Sequence, residues 1–208
     1  MVTGIGTINP IGNNIEEYFR NLELGVSGAA PITNFDASNF KVRFACEVKN
    51  YDWSRYFDRK EVRKYDRFAQ FALVAAAEAV ADANLGDDVN RRRCGVVWSS
   101  GVGGIETYFQ ECMDYAKGGE LPRFSPFFVP RMIADLAAGH IAMKYGFMGP
   151  NYSVTSACAS SNHAIIDAIN LIRLGKAEVI VTGGAEAPII QAGVGGFCSM
   201  QALSTRND

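Results

Sequence analysis

Residues 152–181 read YSVTSACASSNHAIIDAINLIRLGKAEVIV, and this stretch decides the fold class. Tyr152–Thr155 has the composition of a short strand, and small residues follow it. From Asn162 to Leu174 the residues Ile165, Ile166, Ile169, Ile172 and Leu174 recur at helical spacing, and Gly175 supplies a stop. Val179-Ile-Val181 is again a short apolar strand, running into the glycine-rich Thr182-Gly-Gly184. Strands alternating with helices predict an α/β architecture with a largely parallel sheet.

The pattern extends upstream. Gly95-Val-Val-Trp98 reads as a buried strand that leads into the loop Ser99–Gly104. A helix is expected from about Pro130, through His140, to Tyr145–Gly146, with Gly149-Pro150 turning the chain into the next strand. Residues 59–85 form one long alanine-rich helical run closed by Gly86, apolar nearly all round in its second half. Lys41 to Lys49 alternates, with Val42, Phe44, Cys46 and Val48 on one side, the signature of a strand. Asn13 or Asn14 caps a helix carrying Ile15, Tyr18, Phe19 and Leu22 on one face, and Gly25 lies beyond its end. The opening VTGIGTINPIGNN resembles the end of a strand entering a turn.

The 208 residues are 48% hydrophobic, enough for one sizeable core or two small ones. A net charge of -2 gives no electrostatic case for nucleic acid or an anionic membrane. No apolar run is long enough to span a bilayer, and no signal-peptide pattern opens the chain. The five cysteines are scattered, without a CxxC pair or zinc-ligand spacing to His140 or His163. They predict free thiols in a reducing compartment, hence a soluble cytoplasmic protein without a metal. The chain closes on Leu203-Ser-Thr-Arg-Asn-Asp208, a polar run of loop character, so it is expected to be a piece of a longer protein.

GIGTIN fails as a nucleotide fingerprint. Asn9 stands where the third glycine belongs and Pro10 follows, so a structural turn is the better reading. Cys158 is the main candidate for chemistry. It sits between a strand and a helix among Ser156, Ala157, Ala159, Ser160 and Ser161, like the nucleophile elbow of hydrolases. A helix N-terminus favours thiolate and can hold an oxyanion. The residues alone leave two readings open, a nucleophile or a cysteine that fills space. His163 does not qualify as its base: five helical positions rotate a side chain by roughly 140° and carry it down the axis. His140 stands among apolar neighbours and reads as structural. Lys60, Arg63, Lys64 and Arg67 are spaced to share a face in the first turns of the long helix, where cations oppose the macrodipole. That face is either simply solvated or turned to an acidic partner. Arg91-Arg-Arg93 reads as a solvated turn.

Several stretches together resemble one family. VTGIGTINPIG, SSGVGGIET, SPFFVPRMIADLAAGHIA, GFMGPNYSVTSACASS, VIVTGGAEAP, GVGGFCSM and ALSTRND, in this order, are similar to β-ketoacyl-[acyl-carrier-protein] synthases, above all the elongating type II enzymes of bacterial fatty acid synthesis. The resemblance implies a thiolase-like fold of two α/β halves that dimerises. This chain would be the N-terminal half, its mostly parallel sheet covered by helices and incomplete at the C-terminus. It implies that Cys158 takes an acyl group from acyl carrier protein, then releases it to a carbanion made by decarboxylating malonyl-carrier protein. The family's active-site histidines and lysine belong to the second half, so this chain alone is expected not to condense. Val102, Phe128 and Phe197 match acyl-pocket positions, with Phe128 also near the dimer contact. Lys60, Arg63 and Lys64 match a carrier-docking helix, while Gln201 replaces a residue that is basic in some relatives. No cofactor is implied. Readings that remain beside this one are a non-catalytic dimerisation or carrier-binding fragment, a polyketide ketosynthase, and a cysteine hydrolase.

Overall fold

The computed structural model describes residues 1–86 and 88–207. They divide into two compact units, Met1–Gly6 with Trp53–Ala187, and residues 7–52 with the chain from Pro188 onward. In chain order the elements are α1 (Ile15–Glu23), β1 (Ala30–Pro31), β2 (Phe44–Ala45), α2 (Arg59–Val62), α3 (Arg67–Asp82), β3 (Cys94–Ser99), α4 (Ile105–Lys117) and α5 (Phe128–Met132). There follow α6 (Leu136–Tyr145), β4 (Asn151–Tyr152), α7 (Ser160–Arg173), β5 (Val179–Gly184) and α8 (Gln191–Ser199).

In the first unit the expected α/β architecture is present. The strand order is β4-β3-β5, and both pairings are parallel. Cys94 pairs with Val179 and Ser99 with Gly184, so β3 and β5 end level with each other. All of β3 is buried, with α6 and α7 packed against it. The core joins Val96 and Val97 to Phe68, Ala72 and Ala76 of α3, Ala137, Ala138 and Ile141 of α6, and Ala164 of α7. So many alanines mean close helix approach rather than large side chains. Gly175 takes φ +67° and, with Lys176, caps α7 through N–H bonds to Ile172 O and Leu171 O.

The long helix expected over residues 59–85 is broken in two. Asp66 sits at the break with extended backbone, 1% exposed, and caps α3 through Phe68 N. Its other oxygen accepts from Thr107 N at 2.9 Å and Thr107 Oγ1 at 2.6 Å. A carboxylate buried this way is tolerable only with such donors, and serving them takes the residue out of helical geometry. Lys60, Arg63 and Lys64 therefore precede α3 instead of sharing one of its faces with Arg67. Likewise the helix expected from Pro130 is interrupted between α5 and α6, while α4 and α8 went unread in the sequence. No strand is assigned to residues 1–8. Gly4 and Gly6 instead lie on α3, where a Cβ would come 2.1 Å from Ala79 O and Ala75 O, so they serve close packing rather than a phosphate.

In the second unit, Asn14 caps α1 by accepting from Glu17 N, and Gly25 at φ +66° ends it. The strand expected over residues 41–49 shrinks to β2, antiparallel to β1. One further backbone bond, Ile32 N to Arg43 O at 2.9 Å, follows the pair, and Glu47 holds the chain with its side chain, accepting from Thr33 N, Thr33 Oγ1 and Asn34 N. Asn207 ties the end of the chain to this segment, accepting from Arg43 N and donating to Lys41 O.

Candidate functional site

Between β4 and α7 the chain turns over residues 153–159. Ala157 takes the left-handed conformation, φ +52°, which costs a residue with a Cβ about 1–2 kcal/mol. Ser160 holds the turn. Its hydroxyl, 4% exposed with the rest of the residue, accepts from Ser156 N at 2.9 Å and donates to Ala157 O at 2.6 Å. Cys158 stands at the middle of the 3-10 turn Ala157–Ala159, with its thiol exposed. Its backbone N–H has no acceptor among the described residues. An exposed sulfur beside an unused N–H is the pair of groups that thioester chemistry requires, one to attack and one to receive the oxyanion.

Neither histidine reaches that sulfur with a hydrogen bond. His163 Nδ1 lies 2.6 Å from Ser156 Oγ, so the ring braces the turn. His140 packs edge-on against Tyr65, ring centroids 4.7 Å apart. Burial, and then Lys64 nearby, lowers its pKa below the ordinary histidine value. Cys94 is buried in β3, and that burial raises its thiol pKa, the opposite of activation.

The carboxyl ends of β3 and β5 supply the other wall. Going from β4 past β3 to β5 reverses the direction of the crossovers, and open α/β sheets bind ligands in the crevice at such a point. Here Glu186 accepts from Ser100 Oγ at 2.9 Å, Gly101 N at 2.6 Å and Val102 N at 3.2 Å. Thr155 Oγ1 donates to Ser100 O at 3.2 Å, linking this loop to the strand that leads into the cysteine turn. Val102 is half-exposed on this loop. Glu186, Ser160 and Thr155 were missed as contributors. The only available signal was polar residues directly after the ends of apolar strands.

Phe128 opens α5 in a row of stacked rings, 6.3 Å from Tyr108 and 5.5 Å from Phe124, which in turn lies 5.5 Å from Tyr115. Phe197 lies on α8 in the second unit, partly exposed. Lys60, Arg63 and Lys64 are exposed in and just after α2, and none forms an ion pair among the described residues. A polar cavity of about 180 Å³ lies between Arg67, Gln70, Glu106, Thr107, Gln110, Glu111 and Arg131. Burial raises the pKa of Glu106 there, against the opposing pull of Arg67. No helix among the described residues is long and apolar enough to cross a membrane.

Comparison with known proteins bears on this geometry. The model of the family described as "Beta-ketoacyl synthase, N-terminal domain" matches residues 1–208. The 3-oxoacyl-[acyl-carrier-protein] synthase 2 of Staphylococcus aureus is 41% identical over the whole chain, which covers 52% of that protein. The protein of the same name from a Synechocystis species is 42% identical, with 50% of its length covered. Among solved structures, the ishigamide ketosynthase/chain length factor superposes with a TM-score of 0.89 at 30% identity, over 98% of this chain and 51% of the other. A β-ketoacyl synthase from Burkholderia phymatum superposes with a TM-score of 0.85 at 26% identity, over 100% and 51%. The chain thus spans about half the length of the curated relatives it matches.

Proposed function

The chain belongs to the β-ketoacyl synthase family, matching its N-terminal domain throughout, and from that premise we propose that it supplies the acyl-accepting half of a 3-oxoacyl-[acyl-carrier-protein] synthase. The observation that carries this reading is Cys158, exposed on a locked strand-to-helix turn with its own N–H unengaged. The Cys158 thiolate attacks the carbonyl carbon of an acyl thioester on acyl carrier protein. The tetrahedral oxyanion takes the Cys158 N–H, and the carrier thiolate leaves. Malonyl-carrier protein then loses carbon dioxide, and the resulting carbanion attacks the Cys158 thioester. The new carbon–carbon bond expels the cysteine thiolate. With both histidines of this chain engaged elsewhere, the groups that assist decarboxylation come from the remainder of the full-length protein.

Lys60, Arg63 and Lys64, exposed and without an ion pair among the described residues, are the contact for the acidic carrier, through charge that speeds encounter. Val102 lines the acyl pocket. Phe128, within its exposed row of aromatic rings, marks a self-association surface of a homodimer. Five free cysteines fit a cytoplasmic location. In the full-length protein, Cys158→Ala abolishes condensation between acyl- and malonyl-carrier protein, whereas the 208 residues alone form no carbon–carbon bond. His163→Ala leaves alkylation of Cys158 within about 3-fold of wild type, since the ring is not the base. Near-total loss of thiol reactivity in that variant is the outcome expected of a cysteine hydrolase instead.

A further inference from the structure

Glu186 stands out as a carboxylate spent on a single loop. Its two oxygens collect three donors, Ser100 Oγ, Gly101 N and Val102 N, from consecutive residues. Charge-assisted bonds of this kind are about twice as strong as neutral ones. The residue before it is held by the sheet, because Ala185 N donates to Ser99 O at 3.0 Å where β3 and β5 end level. The loop has little freedom left. Ser100 Oγ, while donating to Glu186, accepts from Gly103 N at 2.9 Å, and Gly104 N donates to Met132 O at 3.0 Å. A Cβ on Gly101 would lie 2.8 Å from the Glu186 carboxylate, pressing on its bonds to the loop, and in ordinary contact 3.6 Å from Ala157 O. The same glycine thus faces both the carboxylate and the residue next to Cys158. Val102, held between these anchors, keeps its side chain half-exposed where a flexible loop would let it collapse onto the sheet.

We propose that Glu186 is a positioning residue that fixes the Ser100–Gly103 loop beside the Cys158 turn, and through Val102 sets how long an acyl chain the site accepts. The inference rests on the reading of Cys158 as acyl acceptor and Val102 as pocket wall. Glu186 touches neither thiol nor acyl carbonyl. Its loss loosens the loop, so the penalty grows with the length of chain that must pass Val102.

The test uses the full-length protein and carrier-bound acyl donors of graded length. For Glu186→Gln, which keeps one acceptor oxygen but turns an amide toward N–H donors, acylation of Cys158 falls about 3-fold with a four-carbon donor and about 30-fold with a sixteen-carbon donor, mainly through KM. Ser100→Ala, which removes one of the three donors, shifts the same profile less. Glu186→Asp restores part of the long-chain activity by returning the charge. Iodoacetamide labelling of Cys158 reads the thiol without the pocket and stays within about 2-fold of wild type, which excludes general unfolding. An equal loss at every chain length, or no loss, overturns the proposal. If the wild-type protein fails to acylate Cys158 with any donor, the underlying reading fails first, whatever Glu186 does.

Discussion

The two faces of α7 are packed in opposite ways. Toward the sheet it turns Ser160, Ala164 and Ala168, none more than 4% exposed. Away from it stand Ile165, Ile166, Ile169 and Ile172, each 42–51% exposed. Small residues inside and large apolar ones outside reverse the usual arrangement of a surface helix. The inner face is small because α7 must lie close on β3 and β5, which sets the height at which Cys158 emerges. The outer face is an apolar stripe such as marks an interaction site. Burying it fully would add roughly 1 kcal/mol for each isoleucine. One helix thus seats Cys158 through its small face and presents an apolar stripe on the other.

The sharpest way to break this contrast is to exchange the faces. Ala164→Leu on the inner side should cost about 3 kcal/mol by urea denaturation, because the helix cannot retreat from the sheet. Ile166→Ser on the outer side, where the residue is half-exposed, should cost less than about 0.5 kcal/mol. Equal costs for the two substitutions would falsify the contrast between the faces. Next in size, Ser160→Ala should cost about 2 kcal/mol, since Ser156 N–H and Ala157 O both lose their partner, and should slow alkylation of Cys158. A stable variant with unchanged thiol reactivity would mean that the turn does not depend on this hydroxyl.

His140 predicts a smaller, pH-dependent effect. Its folded pKa is depressed, so protonation favours the unfolded chain. Stability is full above the ordinary histidine value of 6.5 and falls as pH drops from there through the folded pKa. Thermal melts of His140→Gln across this range should be flatter than those of the wild type; identical slopes would remove His140 from the account. The smallest effect is expected for Ala157→Gly. Relief of the left-handed strain is offset by chain entropy, leaving a gain of less than about 1 kcal/mol. A clear loss in equilibrium melts would show that the turn stores no strain there.

What could be read in the sequence follows from how local each signal is. Helical periodicity, glycine stops and apolar runs are written in neighbouring residues, so β3, α7 and β5 stand where their patterns place them. Asp66 defeated the same reading, because its reason for breaking the helix is Thr107, far along the chain. The strand at Lys41–Lys49 failed likewise, its alternation overridden by the hold of Glu47 on Thr33 and Asn34. At the site, Cys158 was visible from its small neighbours and its position between a strand and a helix. Glu186 was not. Its partners lie more than eighty residues upstream, and only the pairing of β5 with β3 brings them together.

The central claim is that Cys158 is the residue that carries the acyl group. The most direct measurement is peptide mass spectrometry of the full-length protein after incubation with acyl-carrier protein and no malonyl donor. The account predicts the acyl mass on the peptide containing Cys158, removable by hydroxylamine, and none on the exposed Cys46 or Cys112. Acyl mass on either of those cysteines, or none on a Cys158 that iodoacetamide still labels, contradicts it.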